Sequence, residues 1–326
     1  MPSPRNRLIF WISVLLAGMF LYFALRGIEW QDFVSTIHRA EYQYLVLAFL
    51  LGNIAGWVRA NRWRVLLSAE KKIPASNVFW ANMAGYLGNN ILPARAGELI
   101  RAAYISRENN ISTSFSLATG LVERFMDLVT LVLLDSISLS VLGVMSEPLQ
   151  AALKIMAMIS VFGIVLFFFL PLFSRLITEF VPRLPILSGS LKERLVVLLD
   201  QFLHGVVAFR QPKRVIVFLL LTSLIWLIDA MGVIFAARAF HLNFVLTQSF
   251  LLLSALGLSS AIPSTPGYIG VYQFAAVLVL TPFGISSEKA VVLVLVLQVT
   301  GFILIAFWGG IAILRASRFL RQSQSN

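Results

Sequence analysis

NNILPARAGELIRAAY, residues 89–104, sets Pro93 and Gly97 inside an otherwise apolar run. The pattern returns 170 residues later as SSAIPSTPGYIGVYQF, residues 259–274, with Pro263 and Gly267. Superposing Pro93 on Pro263 also pairs Leu92 with Ile262, Asn89 and Asn90 with Ser259 and Ser260, and Leu99 with Ile269. Proline removes a backbone donor and clashes with the preceding turn, while glycine tolerates positive φ, so each stretch reads as a helix broken in its middle. Lipid cannot satisfy the freed backbone groups. Broken helices at membrane depth persist only against protein or a watery cavity, and a pair of them in two halves of one chain points to a transport site.

Composition places the chain in the same class. Of 326 residues 59% are hydrophobic and 13% charged, and the mean hydropathy is +0.86, as in a polytopic membrane protein. With no cysteine there is no disulfide or thiolate metal site, and His38, His204 and His241 are too scattered for a metal site. The net charge of +11 is spread over span ends rather than along one stripe, which argues for membrane topology and against a nucleic-acid partner.

A first span over about 8–25 follows Arg5 and Arg7 and lacks a small-residue cleavage pattern, so it is expected to be retained. Residues 27–42, with Glu29, Trp30, Asp32 and Glu41, read as an interfacial segment. A second span over about 44–58 ends in Arg59, Arg62, Arg64, Lys71 and Lys72, a cluster that the positive-inside rule assigns to the cytoplasm. Residues 77–105 form a re-entrant hairpin in this map, followed by crossings at about 116–142 and 153–173. Residues 188–210 mix charges with Leu and Val at helical spacing, either as an amphipathic helix on the inner leaflet or as a soluble linker helix. A span at 215–237, a second hairpin over 249–280 and a last span at 290–314 complete the chain.

The fold expected is an all-α polytopic membrane protein, one domain over 1–326, with about six full spans and two opposed re-entrant hairpins. Both termini fall on the cytoplasmic side of the cell membrane. Segments 44–142 and 215–314 then form inverted repeats, the arrangement that alternating access requires.

Ionisable side chains at bilayer depth face the bundle interior and pair. Glu98 and Arg101 share a helix face after the first break, Arg95 lies in it, and Asn89 and Asn90 precede it. Glu123 and Asp127 share a face of the next span beside Arg124. The arginines suit an anionic headgroup, because a guanidinium fork matches phosphate oxygens and stays charged at low dielectric. The carboxylates then orient them, bind a cationic group or carry a proton; the alternative is a salt-bridge network that only locks hairpin to helix. Asp229, alone in LIWLIDAMG, reads as bonded to backbone or Ser223. The second break offers Ser264, Thr265, Gly267, Tyr272 and Gln273 to a substrate, with Pro266 opening a half-helix whose N-terminus favours anions. Pro93, Gly97, Pro263, Pro266 and Gly270 read as hinges, though the glycines equally suit close packing.

LPARAGELIRA, the downstream ERFMD, R-x-x-RW at Arg59–Trp63 and the late PSTPGYIGVYQFA together resemble the lysylphosphatidylglycerol synthase transmembrane, or flippase-like, family (UPF0104 type). The resemblance covers nearly the whole chain and implies a lipid flippase fold without the aminoacyl-transferase domain. In that family the second break usually reads PGG followed by a Glu, whereas here Tyr268 follows Gly267 and Gln273 stands at the acidic position. That departure favours a phosphate-sugar lipid over a lysyl lipid.

The function expected is movement of an anionic phospholipid or polyprenyl-phosphate-linked lipid between leaflets, without enzymatic activity, cofactor or metal. No D-x-D, phosphate-loop or G-x-S-x-G motif is present. The alternatives are a membrane transferase using a lipid-phosphate donor and an accessory partner of envelope biosynthesis enzymes.

Overall fold

The computed structural model describes residues 18–26, 28–92, 96–142, 211–260 and 266–324, with positions 158, 161, 162, 165 and 209. Most of the first expected span, nearly all of the crossing at 153–173 and the amphipathic segment at 188–210 lie outside the described residues.

Every regular element described is helical, and the chain is an all-α membrane protein. Helix α1 spans Trp30–His38, α2 Tyr42–Leu67, α3 Ala75–Ile91, α4 Gly97–Asn109 and α5 Thr113–Leu142. After the gap come α6 Pro212–Arg238, α7 Leu246–Ser259, α8 Val271–Leu280 and α9 Ser287–Gln324. Among the described residues α2, α6 and α9 over Ser287–Ser317 are long and apolar enough to cross a membrane. Their outward faces carry large apolar side chains, including Leu220 and Leu227 on α6 and Phe302 and Phe307 on α9. In lipid such a face needs no protein cover.

The second span does not stop at Val58. Helix α2 continues to Leu67, and Arg62 is only 3% exposed within it. Arg59 and Arg62 are not free charges at the end of the helix: carboxylates on later helices pair with both of them.

Both broken stretches fold back, α3 against α4 and α7 against α8. At the first, α3 and α4 meet backbone to backbone. A Cβ on Gly97 would lie 1.9 Å from the Gly85 carbonyl oxygen and 2.6 Å from the Asn89 nitrogen. No side chain fits there, which gives Gly97 a packing reason.

The two halves pack in a matched pattern. Helix α2 lies along α6; α3 rests on α9, and α7 on α5. Each hairpin's first arm thus leans on the long helix of the opposite half. One buried cluster gathers Trp63, Leu66, Phe79, Met83 and Ile105. A second gathers Ala237, Leu252, Ala276, Leu280 and Leu293.

Candidate functional site

A cavity of 720 Å³ opens between the two hairpins, with α2, α5, α6 and α9 supplying its other walls. Of the residues singled out in the sequence, Asn89, Asn90, Glu98, Arg124, Asp127 and Tyr272 line it. Arg101 and Glu123 stand behind the wall, 2% and 3% exposed. Arg95, Ser264 and Thr265, with hinge residues Pro93 and Pro263, lie outside the described residues.

The charged side chains form a continuous network. Glu123 accepts from Arg62 Nη2 at 2.9 Å on one oxygen and from Arg101 Nη1 at 2.9 Å on the other. Arg62 also grips Asp127 with both terminal nitrogens, at 2.5 and 2.9 Å. Glu98 takes Arg101 Nε at 2.6 Å and Arg124 Nη2 at 2.7 Å. Arg101 lies over the Trp63 ring, 4.6 Å from its centroid, and Trp63 Nε1 donates to Thr119 at 3.0 Å. Buried charges persist only when paired and hydrogen-bonded, and this set balances: Arg62, Arg101 and Arg124 against Glu98, Glu123 and Asp127. Arg124 is the outlier in exposure, at 43% of its side chain. Both Arg62 and Arg124 line the cavity, but Arg124 is the one with substantial exposure to it.

Sequence reasoning missed several contributors to the wall, among them Arg59, Arg62, Tyr86 and Trp226. Arg59 lines the cavity and is bonded to Asp229 on α6, so the reading of Asp229 as bonded to backbone or Ser223 is corrected. The signal was available: Asp229 follows Arg59 by 170 residues, the offset that relates the two breaks. Tyr86 on α3 and Trp226 on α6 stand with Arg59 in the wall, and among the described residues the enclosed indole nitrogen of Trp226 has no hydrogen-bond partner.

The second break is built differently from the first. Pro266 opens one turn of 3-10 helix to Tyr268, and α8 starts only at Val271. Gly267, Tyr268 and Gly270 all adopt positive φ, at 77, 60 and 89°. Glycine does so freely, but a tyrosine there carries strain of about 1–2 kcal/mol. Tyr268 stacks on Tyr272 with centroids 4.9 Å apart, and both rings face the cavity. Gln273 is fully buried and is not part of the cavity wall. Its oxygen accepts from the Gly270 amide at 2.7 Å and its amide donates to Gln298, which donates to the Gly267 carbonyl at 2.8 Å. Two glutamines thus satisfy the irregular backbone that lipid would leave bare. Among the described residues no cluster of His, Asp and Glu has the grouping needed to hold a metal ion.

Broken helical hairpins around a charged cavity, set among helices long enough to cross a bilayer, define a helical membrane protein with an internal polar site. The chain belongs to the family described as the lysylphosphatidylglycerol synthase TM region, whose profile it matches over residues 10–309. It is 25% identical over 243 residues to a UPF0104 membrane protein of Methanocaldococcus jannaschii, covering 73% of this chain and 97% of that one. A UPF0104 membrane protein of Methanothermobacter thermautotrophicus is 24% identical over 333 residues, 95% of this chain and 93% of that one. The glycosyltransferase AglD of Haloferax volcanii is 22% identical over 306 residues, 84% of this chain but 49% of that protein. No solved structure matches.

Proposed function

We propose that this protein moves an anionic lipid between the leaflets of the cell membrane, holding a phosphate-bearing headgroup in the cavity while the hydrocarbon chains stay in the bilayer. The observation that carries this reading is the 720 Å³ cavity flanked by two broken hairpins and lined by Arg59, Arg124, Glu98 and Asp127. A structural salt-bridge network would have no use for the space.

The network's neutrality suggests how a headgroup binds. Arg124 is half exposed and shares Glu98 with Arg101, so an incoming phosphate competes with one carboxylate for one guanidinium. Glu98 keeps Arg101 as partner when Arg124 leaves. Arg95, in the first break, would add a second fork. Tyr268 and Tyr272 offer a flat aromatic face that suits a sugar or other planar group beside the phosphate.

Alternating access needs two related halves, and several observations support inverted repeats about a two-fold axis between α2 and α6. The packing of α2, α3, α4 and α5 is matched by α6, α7, α8 and α9. Arg59 and Asp229, offset by the same 170 residues as the two breaks, touch, as residues related by a two-fold do beside its axis. Both termini cytoplasmic is the orientation consistent with the basic residues at Arg315, Arg318 and Arg321.

The test is leaflet exchange of fluorescent phospholipid and polyprenyl-phosphate probes in proteoliposomes, with Arg124→Gln and Arg95→Ala as variants of confirmed fold. Exchange above protein-free vesicles that falls at least tenfold in both variants supports the reading. Wild-type exchange no faster than empty vesicles overturns it and leaves an accessory role.

A further inference from the structure

Helix α5 carries a carboxyl group that the headgroup site does not use. Asp135 lies eight residues beyond Asp127, about 12 Å further along the helix axis at 1.5 Å per residue. There α5 packs against α7, the first arm of the second hairpin. The seam is tight. Leu131, one turn before Asp135, is 3.0 Å from the position a Cβ would take on Gly257 of α7.

Ser254 of α7, 1% exposed, lies beside the Asp135 carboxyl. Among the described residues neither Asp135 Oδ1 nor Ser254 Oγ, both enclosed, has a hydrogen-bond partner. Helix α7 carries no ionisable residue. The helices that pack on α5 elsewhere, α2 and α4, bring Arg62, Glu98 and Arg101, and these engage Glu123, Arg124 and Asp127 near the cavity. Among the described residues no cation faces Asp135. An ionised carboxylate with an enclosed oxygen and no counter-ion is costlier than the neutral acid.

We propose that Asp135 and Ser254 form a proton-binding site in the seam between α5 and α7, and that proton release there loosens the second hairpin from the long helix of the first half. The proposal rests on the transport reading for its purpose: it supplies the coupling between a proton gradient and hairpin movement. With the proton bound, the carboxyl O–H and the Ser254 hydroxyl satisfy one another and the seam closes. When the proton leaves to water, the remaining carboxylate draws water in and α7 separates from α5. The proton is the only species exchanged, and no bond between heavy atoms changes.

The test has two readouts on the full-length protein in lipid. Infrared difference spectra across a pH titration follow the carboxylic C=O band in wild type, Asp135→Asn and Ser254→Ala. A titrating band present in wild type, absent in Asp135→Asn and displaced in Ser254→Ala supports the site. No band missing from Asp135→Asn overturns it, whether or not the protein moves lipid. The second readout is the ratio of lipid exchange rates with and without an imposed pH gradient. The expectation is a ratio of at least threefold in wild type and of one in Asp135→Asn. Brisk wild-type exchange with a ratio of one refutes the coupling and leaves the transport reading standing. Absence of all exchange refutes transport and coupling together, while the infrared band still decides whether Asp135 holds a proton.

Discussion

Charge reversal at Arg59 and Asp229 probes the relation between the halves of the chain. The side chains are 28% and 16% exposed, between a surface pair and a buried one, so an effective dielectric of ~20 is appropriate. Two unit charges ~4 Å apart then interact by about 4 kcal/mol. Arg59→Asp replaces that attraction with a repulsion between carboxylates. After the side chains swing apart, the expected loss is roughly 3–5 kcal/mol, the range for breaking a buried pair. Asp229→Arg should lose a similar amount. The exchanged pair, Arg59→Asp with Asp229→Arg, puts each group at the other's position. If a two-fold axis passes through this contact the surroundings match, and the double variant should recover at least half of the loss. A thermal-unfolding cycle in nanodiscs, followed by tryptophan fluorescence, measures the coupling energy, expected to exceed ~2 kcal/mol. Losses that simply add in the double variant would refute both the pair's energetic role and the equivalence of the two positions.

Glu123→Gln leaves the shape in place but strips the charge shared by Arg62 and Arg101, and should cost about 3–5 kcal/mol in the same unfolding assay. Gly97→Ala drives a methyl into the Gly85 carbonyl and should destabilise by at least ~1–3 kcal/mol. Gly301→Ala on α9, with nothing within 4 Å of the added carbon, should stay within about 0.5 kcal/mol of wild type. Gln298→Leu removes the donor to the Gly267 carbonyl and the acceptor for Gln273. A loss of about 1–3 kcal/mol is expected, with protease cleavage at the second break as a local readout.

The breaks were legible because proline and glycine act on the backbone where they stand. The Glu98–Arg101 pair was legible for the same reason, being set by spacing within one helix. Arg62 was not: its partners, Glu123 and Asp127, lie 61 and 65 residues on, so a local reading sees an unpaired charge and ends the span there. Gln273 looked like a replaced headgroup ligand, and only its bond to Gln298, 25 residues away, gives it a structural task. Asp135 escaped notice because its sequence neighbours are apolar or hydroxylic and its seam partner, Ser254, belongs to the other half.

That lipid headgroups pass through the cavity can be tested within one preparation, because the chain contains no cysteine. Gly301 lines the cavity and leaves open space at its Cβ position, so Gly301→Cys supplies a single attachment point. Leaflet exchange is measured in the same proteoliposomes before and after complete modification with a bulky membrane-permeant thiosulfonate, which forms a mixed disulfide with the Cys. The expected result is exchange that is present beforehand, lost afterwards and restored when a reducing agent removes the adduct. Exchange that continues unchanged past a fully modified Cys would contradict passage through this cavity.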